Sequence, residues 1–159
     1  MEKVHFELEV DEEGYPPVNC EQIDCERVEG DVFVVKYMPF YSKEVALGDL
    51  IFTELIQHER LFKKVKSHSD NSTIRIVFYE NKPHQISAIL NELSEKGLVH
   101  EKFSEQFYAL NLPKGIDIVK ILRYLESLEN EDILSYEAMK LVIWCHHLVC
   151  RITFYKNWD

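Results

Sequence analysis

The period of the apolar residues changes once along this chain, at the polar run Ser67-His-Ser-Asp-Asn-Ser72. Before it, apolar side chains recur at every second residue, the pattern of a strand with one buried face. After it, two stretches recur at three and four residues, the pattern of a helix with one buried stripe. Such a chain folds as two different packing problems, and the run between them, rich in turn formers with no apolar residue to bury, is the natural boundary.

In the first part, Val4, Phe6, Leu8 and Val10 face one way and His5, Glu7 and Glu9 the other, which predicts a half-buried strand. Ile23–Glu29 and Val32–Met38 flank the turn Glu29-Gly30-Asp31 and read as a hairpin, with Pro39 as its end. Leu50–Ile56 and Arg60–Lys66 read as a second hairpin across Gln57-His58-Glu59. Between strand one and the first hairpin, Asp11–Ile23 contains Gly14, Pro16 and Pro17 and reads as a rigid link.

In the second part, Thr73–Tyr79 predicts a strand, and Ile86, Ile89, Leu90 and Leu93 a helix that stops at Gly97. Leu98–Phe103 and Phe107–Leu112 predict two strands, and Ile118, Ile121, Leu122, Leu125 and Leu128 a second helix. A strand at Asp132–Glu137 completes a β-α-β-β-α-β order, whereas a helix over Ile133–Cys145 is the competing reading, because Ala138, Met139 and Leu141 are helix formers. The expected fold is therefore α+β. A small barrel-like β unit spans residues 1–72, a ferredoxin-like unit 73–140, and an apolar tail packing on the body 141–159.

With 159 residues, 46% of them hydrophobic and 12% aromatic, the chain is outside the disordered class and long enough to bury a core. No apolar run reaches the length of a bilayer span, and the N-terminus reads as cytoplasmic because it goes straight into strand alternation. The formal charge is −10, and residues 1–30 hold ten acids against Lys3 and Arg27. Such a surface repels nucleic acid and anionic membranes and attracts a basic protein.

Candidate chemistry is sparse. Cys20 and Cys25, and Cys145 and Cys150, form two Cys-x4-Cys pairs, a spacing looser than most zinc sites use, so the thiols read as small hydrophobes. His146 and His147 are adjacent and point apart on any regular element. Ser67, His68, Ser69, Asp70 and Ser72 contain the residue types of a nucleophilic triad but lack a glycine-framed elbow, and they read as a connecting loop. The isolated glycines form no phosphate loop. The expectation is a non-enzymatic binding protein with no cofactor and no metal. Its partner-binding residues are Glu12, Glu13, Glu21 and Asp24, with Tyr37, Phe40 and Tyr41 as aromatic anchors. The alternative is a small enzyme or ligand-binding regulator with a cleft between the two units, lined by His68, Asp70 and Arg75.

Several landmarks stand in a fixed order: Asp11-Glu-Glu-Gly-Tyr-Pro-Pro-Val18 followed by Glu21, then Pro39-Phe40, Ala46-Leu-Gly-Asp49, Ser72-Thr-Ile-Arg75 and Tyr136-Glu137. Over about residues 4 to 140 they resemble a family of small bacterial proteins catalogued as a domain of unknown function, whose hallmark is Gly-x-Pro-Pro followed by a glutamate. The chain departs from that pattern at Gln22-Ile23-Asp24, where the family usually carries a tryptophan. The resemblance implies no activity of its own. It points to small soluble proteins that look like immunity proteins accompanying secreted toxins, which makes a basic toxin domain, a nuclease, the expected partner.

Overall fold

The structure, a computed structural model, describes residues 1–145 and 148–152, with the side chains of residues 1–139 and 141. The fold is α+β, with two helices and two sheets among the described residues, and it divides into two units, Met1–Ser69 and Asp70–Asp159. The division falls inside the polar run read as a boundary, three residues earlier than the expected start at Thr73.

The first unit contains β1 (Glu2–Glu7), β2 (Cys20–Glu29), β3 (Val32–Val35), β4 (Leu50–Ile56) and β5 (Glu59–Ser67). Each strand pairs antiparallel with the next, and β1 returns to pair parallel with β5, Val4 opposite Arg60, so the ring closes. Its interior is filled by Val4, Phe6, Ile23, Cys25, Phe33, Val35, Val45 and Ile51, with Phe62 stacked on Phe6 at 4.7 Å between ring centroids. Strand one ends at Glu7 rather than Val10. Leu8 still donates its N–H to Asn19, but Val10 is 47% exposed, because the chain has already turned into the link toward β2. Likewise β3 stops at Val35, three residues before Met38.

Both hairpins of this unit close on two-residue turns. Gly30-Asp31 joins β2 to β3 with Gly30 at φ +50°, the left-handed position glycine occupies without strain. Gln57-His58 joins β4 to β5 with both residues left-handed, at φ 49° and 72°. That geometry favours Asn-Gly, and a side chain held there costs about 1 kcal/mol. Replacing Gln57-His58 by Asn-Gly is therefore expected to stabilise the protein by about 0.5–1 kcal/mol, seen as a higher urea midpoint at unchanged slope.

The second unit contains β6 (Ser72–Phe78), α1 (Pro83–Glu95), β7 (Val99–Lys102), β8 (Phe107–Leu112), α2 (Ile118–Asn130), β9 (Leu134–Cys145) and β10 (Leu148–Ile152). The sheet order is β10-β9-β6-β8-β7, and every pair is antiparallel. Helix α1 opens on Pro83 and ends at Glu95, and Gly97, at φ +94°, turns the chain while Leu98 bonds back to Leu93. Helix α2 opens on Asp117, whose carboxylate accepts the Lys120 N–H at 3.3 Å. The two helices bury Ile86, Ile89, Leu90, Leu93, Ile121, Leu125 and Leu128 against Ile74, Ile76, Phe78, Tyr108, Leu110 and Leu112 of the sheet.

Residues 134–145 form one strand, so the competing helix over Ile133–Cys145 is not present. Pairing with β6, Arg75 opposite Glu137 and Ile76 opposite Tyr136, overrides the helix propensity of Ala138 and Met139. Residues 141–145 finish β9 and 148–152 form β10, so this part of the expected tail extends the sheet. His146, His147 and residues 153–159 lie outside the described residues.

Candidate functional site

Two long connections leave the same end of the barrel. Residues 8–19 run from the end of β1 to the start of β2, and residues 36–49 from the end of β3 to the start of β4. Neither has regular structure, so side chains share with local backbone bonds the task of satisfying its N–H groups.

Alternation along β2 points Glu21 the same way as the core residues Ile23 and Cys25. At the rim of the barrel its carboxylate meets three consecutive backbone N–H groups, accepting from Phe40 at 2.6 Å, Tyr41 at 3.0 Å and Ser42 at 2.8 Å. A second carboxylate, Asp49, is fully buried at the start of β4. It accepts from the N–H of Ala46 at 3.0 Å and of Ser69 at 2.7 Å, and lies 3.1 Å from Nδ1 of His68. The 36–49 connection is thus held near its middle by one inward acid and at its end by another.

The 8–19 connection is built around Asp11. Its carboxylate accepts from the N–H of Glu13 and Tyr15 at 3.0 and 2.9 Å, folding the chain into a tight turn. The Tyr15–Pro16 peptide is cis, and the Tyr15 ring meets Tyr41 edge-on at 6.2 Å, so the two connections touch.

Landmarks scattered in sequence therefore converge on one barrel end: the Gly-Tyr-Pro-Pro turn, Glu21, Pro39-Phe40 and Asp49. The match to a family with the description "Domain of unknown function (DUF4265)" covers residues 21–136. The chain belongs to the DUF4265 family. Of the landmarks inside that match, Glu21 and Asp49 hold the 36–49 connection. A solved structure, a hypothetical protein from Neisseria gonorrhoeae, is similar at a TM-score of 0.74 and 22% identity, covering 87% of this chain and 93% of that one. That likeness concerns the fold alone. No curated protein matches the chain.

In this DUF4265 chain the seven residues expected to bind a partner stand in different settings. Glu12 and Glu13 are exposed on the 8–19 connection, and Tyr37 is 44% exposed. Asp24 pairs with Lys3 at 3.2 Å on the outside of the barrel. Glu21, counted from composition as a surface acid, has its carboxylate on the loop that carries Phe40 and Tyr41. Its inward direction was readable from the alternation with Ile23 and Cys25; its backbone partners, 19 to 21 residues away, were not.

The polar run at the boundary is ordered by contacts other than those its composition suggested. The acid beside His68 is Asp49, not Asp70, and the Ser69 hydroxyl donates to the carbonyl of Leu47 at 2.7 Å. Arg75 lies in the second unit, fully buried and 2.6 Å from the equally buried Glu137. Cys20 and Cys25 are five residues apart on one strand and face opposite ways. Burial pushes the Cys25 thiol up to about 12, and burial, with Glu59 and Glu7 nearby, also raises that of Cys20. Among the described residues no three His, Cys, Asp or Glu side chains group as metal ligands, and the side chains of Cys145 and Cys150 lie outside them. Among the described residues no helix is long and apolar enough to cross a membrane.

Proposed function

We propose that this protein is a non-enzymatic binding protein, an immunity protein that neutralises a basic bacterial toxin, a nuclease, through the acidic connection at the barrel end. One observation carries the reading: most acids of the barrel strands are matched by bases, and those running from the end of β1 into the connection are not. Glu2 pairs with Arg27 and Arg60, Asp24 with Lys3, Glu26 with Lys36, Glu29 with Lys66 and Glu54 with Lys63. Glu9, Glu12 and Glu13 are exposed and make no ion pair among the described residues, and Glu7, also exposed, has only the more distant attraction of Lys63, whose closer partner is Glu54. Unmatched like charges repel one another, and a basic partner relieves that repulsion while being steered toward it. Val10, Val18 and Tyr37, each more than 40% exposed, offer apolar contact on the connections at the same end.

The test is titration with the toxin domain encoded beside this gene. Reversing Glu12 and Glu13 to lysine is expected to slow association about tenfold or more and to flatten its dependence on salt. Association unchanged by the double reversal, or no binding of the wild type at all, removes the reading. In the same proposal the first unit is a barrel-like scaffold and the second a ferredoxin-like unit. The latter is supported by the order β6-α1-β7-β8-α2-β9 with strands arranged β9-β6-β8-β7.

A further inference from the structure

We infer that the backbone N–H groups of Phe40, Tyr41 and Ser42 form an oxyanion-binding nest, that Glu21 is its resident ligand, and that the nest, once emptied, takes a small carboxylate ion. Successive N–H groups converging on one point create a concave patch of positive potential, a recurring way for backbone to hold anions. Here the three donors lie at 2.6, 3.0 and 2.8 Å from the two oxygens of one carboxylate, the short range of charge-assisted hydrogen bonds. The ligand comes from a different strand, so the nest and its occupant are separable by one substitution. Glu21 is half-buried and stands outside the closed apolar cluster of this unit.

The inference goes beyond partner binding and stands independently of it. It makes the 36–49 connection, with Tyr37, Phe40 and Tyr41, a segment whose order depends on an anion in the nest. Truncating Glu21 to alanine removes the equivalent of an acetate ion, a CH2 group and its carboxylate, and leaves the donors in place.

The experiment compares the wild type and Glu21→Ala in sodium acetate and in sodium chloride at equal ionic strength and pH 7. In chloride the variant is expected to melt about 5 °C or more below the wild type. Acetate is expected to recover at least half of that loss in the variant and to leave the wild type unmoved. Identical melting of the variant in the two salts, or an equal gain by the wild type, overturns the inference. Should Glu21→Ala fold in neither salt, Glu21→Gln decides, because its neutral amide is a weaker occupant. Added acetate is then expected to shift the amide protons of Phe40, Tyr41 and Ser42 saturably, and amide protons that stay in place overturn the inference.

Discussion

Replacing Arg75 by methionine is expected to destabilise the protein by about 3–5 kcal/mol, the largest effect expected of a single polar substitution among the described residues. The two partners face each other across β6 and β9, 2.6 Å apart, with side-chain exposures of 0% and 1%. Methionine fills much of the volume of arginine, so the cost is not a cavity. It is the loss, at a buried carboxylate, of the guanidinium that Glu137 meets at 2.6 Å. The double variant Arg75→Met/Glu137→Leu separates these causes. With both charges gone it is expected to regain most of the loss, because a buried ion pair contributes little net stability over well-packed apolar groups. Urea unfolding of the three proteins measures this. A single variant within about 1 kcal/mol of the wild type contradicts the account.

Asp49→Ala is expected to cost about 2–4 kcal/mol, for a different reason. The aspartate is fully buried and accepts from two backbone N–H groups, Ala46 and Ser69, as well as facing His68. Alanine takes that acceptor from the buried Ala46 N–H and the half-buried Ser69 N–H, and a buried donor without a partner costs about 1–3 kcal/mol, less wherever water enters. An asparagine side chain at this position keeps the shape and one oxygen, so Asp49→Asn is expected to lose less than Asp49→Ala. Hydrogen exchange at the amides of Ala46 and Ser69 reports the local part: both are expected to lose protection in the alanine variant. Unchanged protection there would mean that the connection is held by other contacts.

Much of the fold was legible because local period and burial agree. Ile74, Ile76 and Phe78 alternate on β6, and Ile86, Ile89, Leu90 and Leu93 form a stripe on α1; the same core takes both sets. Where local signals were balanced, long-range pairing decided. Ala138 and Met139 favour a helix by propensity, but their backbone lies in β9 alongside β6, more than sixty residues earlier in the chain. The parallel closure of β1 on β5 left no local trace either, since pairing partners are not written in either strand.

The candidate site was less legible, and Glu21 shows why. A count of acids treats Glu12, Glu21 and Asp24 alike, yet one is exposed on a loop, one is turned inward and one is paired on a strand. The alternation of β2 by itself separates inward Glu21 from outward Asp24. What alternation cannot supply is the identity of the donors, because these are backbone groups that any residue type provides.

The closed pairing of the first unit limits the ways another molecule can engage it. An open sheet ends in a strand with unused hydrogen-bonding groups, which a foreign strand can extend. A ring in which β1 meets β5 has no such terminus. Recognition of this unit must therefore be written in side chains and in the connections at its ends. A peptide that binds by lengthening a sheet would have to look to the second unit, where β7 is a border strand of only four residues.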